Sequence, residues 1–218
     1  LAILFSLLVG SAFSQASFTV IGTAYTQDFN SLPNVTDGST MSTWTQYGTL
    51  PGWYIDEGNA GPSCSGTSCD DFPTIEATYT TMNNGGNSYI FASGTDRNLG
   101  SRAAGSPGTV FFGVRLVNTT GTTITSLYID YYGEQWSIAE NQTNVNTFVL
   151  EYQTGATVTS LTAGSWTATG LNFPQIYTSS QSSGMGGSAC AGTSAQCLAL
   201  NGNAAANRTR ISGCISVN

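Results

Sequence analysis

Apolar and polar positions alternate with a period of two along much of residues 87–136, NSYIFASGTDRNLGSRAAGSPGTVFFGVRLVNTTGTTITSLYIDYYGEQW. That period places successive side chains on opposite faces of a strand. Val110, Phe112, Val114 and Leu116 share one face of the first run, and Leu127, Ile129 and Tyr131 repeat the alternation after the turn at 118–121. Two such runs around a Gly-containing turn predict a hairpin with one apolar face, which a second layer must cover. Residues 87–136 are therefore expected to be the middle of a β-sheet core. Weaker signals flank them. Residues 17–29 predict a strand pair broken at Gly22, and residues 74–81 a strand leading into the turn NNGG at 83–86. Residues 144–153 place Phe148, Leu150 and Tyr152 on one face, and a shorter strand is expected around Trp166. Pro33 and Asp37-Gly38 mark a polar loop at 30–41, a second loop spans 56–71, and a Ser/Gly-rich loop spans 178–196. The last residues, 198–218, end in the start of a strand. The expected class is all-β.

A length of 218 residues suits one all-β domain with a real core. Only 8% of the residues are charged, while 26 are Gly, a composition typical of extracellular, turn-rich β proteins. There is no Lys and no His, all five cations are Arg, and the formal net charge is −7. Phosphate binding needs a basic stripe, so nucleic acid is not an expected partner. Residues 1–16, LAILFSLLVGSAFSQA, read as the apolar and cleavage regions of a secretory signal peptide, cut after Ser14 or after Ala16. The apolar run is shorter than the roughly 20 residues a membrane-spanning helix requires. A buried first strand or an anchor helix is the alternative. Because the chain begins with Leu and lacks a basic leader region, the signal is expected to be incomplete, and residues 17–218 are expected to form one secreted or cell-surface domain.

The cysteines fit export. Cys64 and Cys69 bracket SGTS, and Cys190 and Cys197 bracket AGTSAQ, so each pair is expected to close a short loop as a disulfide. A zinc site from the same thiolates needs tighter spacing. Cys214 is left over, to be buried as a small apolar side chain or paired beyond Asn218. Trp44, Trp53 and Tyr54 lie around the turn Leu50-Pro-Gly52 and are the candidate platform for a sugar ring, with burial in the core as the competing role for the indoles. Asp56, Glu57, Asp70 and Asp71 in the loop around the first cysteine pair are candidate calcium ligands, although their spacing is not that of an EF-hand; an acidic solubilising loop is the plainer role. Arg97, Arg102 and Arg115 are read as structural, holding loop carbonyls and carboxylates, rather than as anion grips. Glu134, Glu140 and Glu151 are the only glutamates after Glu76. No pair among them has a spacing that marks a glycosidase, and the strand carrying Glu134 is expected to end at Gly133. G-x-S-x-G, a P-loop and any His-based triad or metal motif are missing from the sequence. Asn34, Asn118, Asn141 and Asn207 stand in N-x-T triplets.

A resemblance is carried by Phe29-Asn-Ser-Leu32, Thr43-Trp44, Leu50-Pro-Gly-Trp53-Tyr54, Gly94-Thr-Asp-Arg97, Leu99-Gly-Ser101, Phe112-Gly-Val-Arg-Leu-Val-Asn118, Gly133-Glu-Gln-Trp136 and Leu200-Asn-Gly-Asn-Ala-Ala-Ala-Asn-Arg208. Together they resemble the N-terminal β-sandwich modules of multidomain secreted bacterial proteins with PEP-CTERM or Por-type sorting tails. The resemblance implies an antiparallel two-sheet β-sandwich of jelly-roll or lectin-like form, further domains in the same polypeptide, and no carried-over catalytic residue. It also implies a final hairpin after residue 210 that this sequence lacks, so truncation before the last strands is expected; otherwise one sheet keeps an open edge. The expected function is a non-catalytic module that binds a glycan or another surface component. The alternatives are a glycoside-active enzyme and a fibre subunit assembling by strand addition.

Overall fold

Strands take up the β-branched and aromatic runs of the central stretch and also Asp96–Arg102, DRNLGSR, which has few such residues. The computed structural model describes residues 16–33, 49–57, 74–76, 87–102, 109–139, 144–156, 158, 160–178, 188–189 and 197–217. The first part of the chain contributes β1 (Ala16–Phe18), β2 (Trp53–Glu57), β3 (Thr74–Glu76), β4 (Asn87–Ser93) and β5 (Asp96–Arg102). The middle contributes β6 (Val110–Val114), β7 (Leu116–Asn118), the long β8 (Ser126–Glu134) and β9 (Ser137–Ala139). Four two-residue strands follow, β10 (Thr147–Phe148), β11 (Glu151–Tyr152), β12 (Thr167–Ala168) and β13 (Phe173–Pro174). The chain ends in β14 (Ser188–Ala189), β15 (Cys197–Ala199), a 3-10 turn at Ala205–Asn207 and β16 (Arg208–Ser216). Among the described residues there is no α-helix, and the fold is all-β.

Most ladders are antiparallel. β4 pairs β5 through the turn at Gly94, β2 pairs β6, β8 pairs β16, and β15 joins β14 to β9. Small ladders join β10 to β13 and β11 to β12. Two pairings are parallel, β1 with the distant β7 and β3 with its successor β4.

β4 is the buried centre. Ile90 and Ala92, both 0% exposed, lie on one face, and Ile90 meets Leu32, Leu50, Ile55 and Leu99 in the first core. Phe29, Trp53 and Phe112 pack against that cluster, so β2–β6 is layered on β4–β5. Tyr89 and Phe91 on the other face form the second core with Trp136 and Ala199. Phe91 stacks on Trp136 at 5.5 Å and on Tyr89 at 5.4 Å between centroids. A strand covered on both faces reads as a continuous apolar run rather than an alternation, which is why YIFA appears in this sequence.

Several expectations are corrected. The predicted hairpin between the runs at 110–116 and 127–131 does not form: β6 belongs to β2, β7 to β1 and β8 to β16. The first run breaks at Arg115, whose N–H donates to the Gly52 carbonyl at 2.8 Å, and the chain passes there from one partner to another. The strand pair at 17–29 reduces to β1, the stretch after residue 144 divides into two-residue strands, and β8 runs through Gly133 to Glu134. The end of the chain is a full nine-residue strand. Of the strand expected at 74–81, residues 74–76 are β3; the rest and the turn at 83–86 lie outside the described residues.

Candidate ligand-binding face

Alternation in β8 puts Leu127, Ile129, Tyr131 and Gly133 on one face and Tyr128, Asp130, Tyr132 and Glu134 on the other. The first face is covered. The Phe173 ring lies against Gly133 where any side chain would stand, Leu171 lies against Gly213 of β16, and Tyr131 donates its hydroxyl to the Leu171 carbonyl at 2.7 Å. Tyr152 donates to the Ser216 carbonyl at 2.8 Å and ties the same cover to β16. The other face stays open, with Tyr128 64% and Tyr132 53% exposed.

β16 supplies the other half of this open face. Its register sets Arg208 opposite Glu134, Arg210 opposite Tyr132, Ser212 opposite Asp130 and Cys214 opposite Tyr128. Arg210 makes a two-pronged contact with Asp130, Nε to Oδ1 at 2.8 Å and Nη2 to Oδ2 at 2.5 Å. The bond from Arg210 holds the Asp130 carboxyl below its ordinary range, and Asp130 in turn holds the Arg210 guanidinium charged. The Arg208 guanidinium sits over the Tyr132 ring, 5.0 Å from its centroid, a cation–π contact. Two aromatic rings four residues apart stand about 14 Å apart along a strand, enough for an oligosaccharide to lie across both.

At one end of the face Glu134 turns toward β5 and accepts a hydrogen bond from Asn98 Nδ2 at 2.6 Å. Burial pushes its pKa up, the Asn98 bond pulls it down, the Asp96 charge raises it and Arg208 lowers it; burial wins. The next residue is structural. The Gln135 amide donates to the Ser137 and Tyr177 carbonyls at 3.0 and 2.8 Å and accepts from the N–H groups of Ile176 and Tyr177 at 2.9 and 2.7 Å.

The residues singled out in the sequence are placed elsewhere. Trp53 packs on the first core, donates Nε1 to the Tyr25 hydroxyl at 2.8 Å and meets the Phe29 ring edge-on at 4.8 Å. Tyr54, half-buried, falls on the opposite face of β2, so the two rings do not form one platform. Trp44 lies outside the described residues. Asp56 and Glu57 belong to β2 and not to the following loop; Asp70 and Asp71 lie outside the described residues. Among the described residues no group of three or more His, Cys, Asp or Glu side chains is gathered as a metal site. Cys64, Cys69 and Cys190 lie outside the described residues, as does the side chain of Cys197 in β15. Cys214 is a free thiol and is exposed, not buried. Arg97 holds carbonyls as expected, donating Nη1 to those of Gly94 and Asp96 at 2.7 and 3.0 Å, but the Gly-bounded turn expected over 94–100 is confined to 94–95, because Asp96–Arg102 pairs with β4 as β5. Asn207 is 8% exposed and donates its amide to the Asn201 carbonyl.

The alternation that marks Leu127, Ile129 and Tyr131 as inward marks Tyr128 and Tyr132 as outward, so half of the open face was readable. Its Arg half depends on a strand more than seventy residues later and was not. An open hollow of about 300 Å³ between residues 153–155 and 160–164 is lined by neutral side chains and offers no comparable chemistry. No family model, no curated protein and no solved structure matches the chain.

Proposed function

We propose that this chain is a secreted, non-enzymatic β-sandwich module that binds a glycan, as an accessory part of a larger bacterial surface protein. One observation carries the reading: Tyr128 and Tyr132 stand open on a strand whose opposite face packs against residues 171–173. Exposed tyrosines on a rigid sheet present flat apolar faces to the C–H side of a sugar at little entropic cost, with hydroxyls and the Asp130–Arg210 pair available for sugar hydroxyl groups. Trp53 is already committed to the core and to Tyr25, which moves the sugar platform away from β2.

Affinity electrophoresis of the purified chain against a panel of neutral and acidic polysaccharides tests this. Retardation by at least one polymer is expected, and Tyr128→Ala with Tyr132→Ala should weaken it tenfold or more, since base-type ring stacking is worth about 1–3 kcal/mol per ring. A mobility unmoved by every polymer sinks the proposal.

A second reading has its own observation. Glu134 is a half-buried carboxyl with a raised pKa beside another carboxylate, Asp96, the combination that a glycoside-cleaving acid requires. The same panel, assayed for new reducing ends, separates the two: hydrolysis that disappears in Glu134→Gln establishes an enzyme, and binding without cleavage establishes the module.

A further inference from the structure

We infer that the open β8–β16 face takes an acidic polysaccharide, with a sugar ring on Tyr128 and a uronate carboxylate on Arg208 beside Tyr132. The inference rests on the glycan-binding reading and adds the chemical class of the sugar.

The chain has five cations against twelve acidic residues, yet alternate positions of β16 bring two of those five, Arg208 and Arg210, to one face. Arg210 is compensated by Asp130 through both prongs of its fork. Arg208 makes no ion pair among the described residues. The register offers it Glu134, but Glu134 instead turns its Oε2 to Asn98. The Tyr132 ring fixes the guanidinium in place without neutralising it.

A guanidinium oriented by an aromatic ring and held outside ion-pair distance of a carboxylate presents N–H donors in a fork that matches a carboxylate. Around the cation the surface suits a sugar. Ser212 and Cys214 are small residues on the same face, and the Tyr128 ring stands opposite Cys214 with no cation over it. A polymer whose carboxylates are separated by sugar rings satisfies both halves of this surface. A neutral glycan satisfies only the tyrosine.

The whole chain is tested by affinity electrophoresis and calorimetry against polygalacturonate, the same polymer after carboxyl reduction, and dextran sulfate. Polygalacturonate is expected to bind about tenfold or more tighter than its reduced form, as a charge-assisted contact implies. Arg208→Gln should remove that preference, so that the variant binds the two polymers alike. Alkylation of the Cys214 thiol, followed by mass mapping of its peptide, reads the location in the unaltered protein: polygalacturonate should slow it several-fold and the reduced polymer less. Equal binding of both polymers overturns the inference while leaving the glycan reading intact. Binding to dextran sulfate alone, or binding that leaves Cys214 alkylation unchanged, overturns it as well. If no polymer binds, both readings fall together.

Discussion

Gly52 shows what a single position contributes. It follows Leu50 and Pro51 in the turn that opens β2, at φ +79°, and a Cβ there would stand 2.9 Å from both the Ala16 nitrogen and the Arg115 carbonyl oxygen. Those are backbone atoms of two other segments, so neither can swing aside. The Gly52→Ala chain is therefore expected to lose roughly 2–4 kcal/mol, strain and overpacking combined, read as a lower urea midpoint. A change within about 0.5 kcal/mol would show that the turn is looser than this packing implies. Glu134 makes a pH-dependent contribution whose sign follows from its burial. Its folded-state pKa is raised above the ordinary 4.5, so the native state binds the proton more tightly than the unfolded chain. Stability from this group is complete below pH 4.5 and is lost as pH rises through the folded pKa. Glu134→Gln keeps an acceptor for Asn98 and removes the charge. The variant should gain stability over the parent at neutral pH and lose that advantage in acid, in parallel unfolding series. An advantage that is the same at every pH would assign the effect to packing.

At the scale of elements, partner choice is the informative feature. β1 lies parallel to β7 with Ala16 opposite Leu116, and Ala16 is buried against Gly52. Under the export proposal, a signal peptidase cutting after Ala16 would delete the first pair of this ladder, whereas a cut after Ser14 would keep it whole. The exported chain is expected to begin at Gln15, as N-terminal mass spectrometry of the secreted form would show; a chain beginning at Ser17 would count against β1 as an element of the mature fold. β8 and β16 make the complementary point. Ile129 and Tyr131 face a cover built from residues 171–173, with Gly133 and Gly213 lacking a side chain where Phe173 and Leu171 approach. The glycines in these two strands are thus places where the second layer sits close. From the sequence alone, Gly133 suggests the end of a strand, because glycine weakens a strand unless something packs on it.

Over the whole molecule, the two cores on either side of β4 organise the remainder. The all-β class, the inward set Leu127, Ile129 and Tyr131, and the Arg97-bound turn were legible because period-two patterning, β-branched composition and Gly-bounded turns are local properties of the chain. The sequence by itself thus determined which residues of β8 turn inward. It did not determine which strand pairs with which: alternation specifies a face, and any strand with a matching face satisfies it. The expected hairpin between the 110–116 and 127–131 runs therefore gave way to the β2–β6, β1–β7 and β8–β16 ladders. The candidate site followed the same division. Trp53 reads locally as a core residue with a sugar platform as the alternative, and the structure packs it on the Leu50–Ile55 core with its Nε1 on the Tyr25 hydroxyl. Tyr128 and Tyr132 were outward by periodicity, but Arg208 and Arg210 reach them through the register of β16. That non-local pairing, reached only by bringing distant chain segments together, is what the tertiary structure decided.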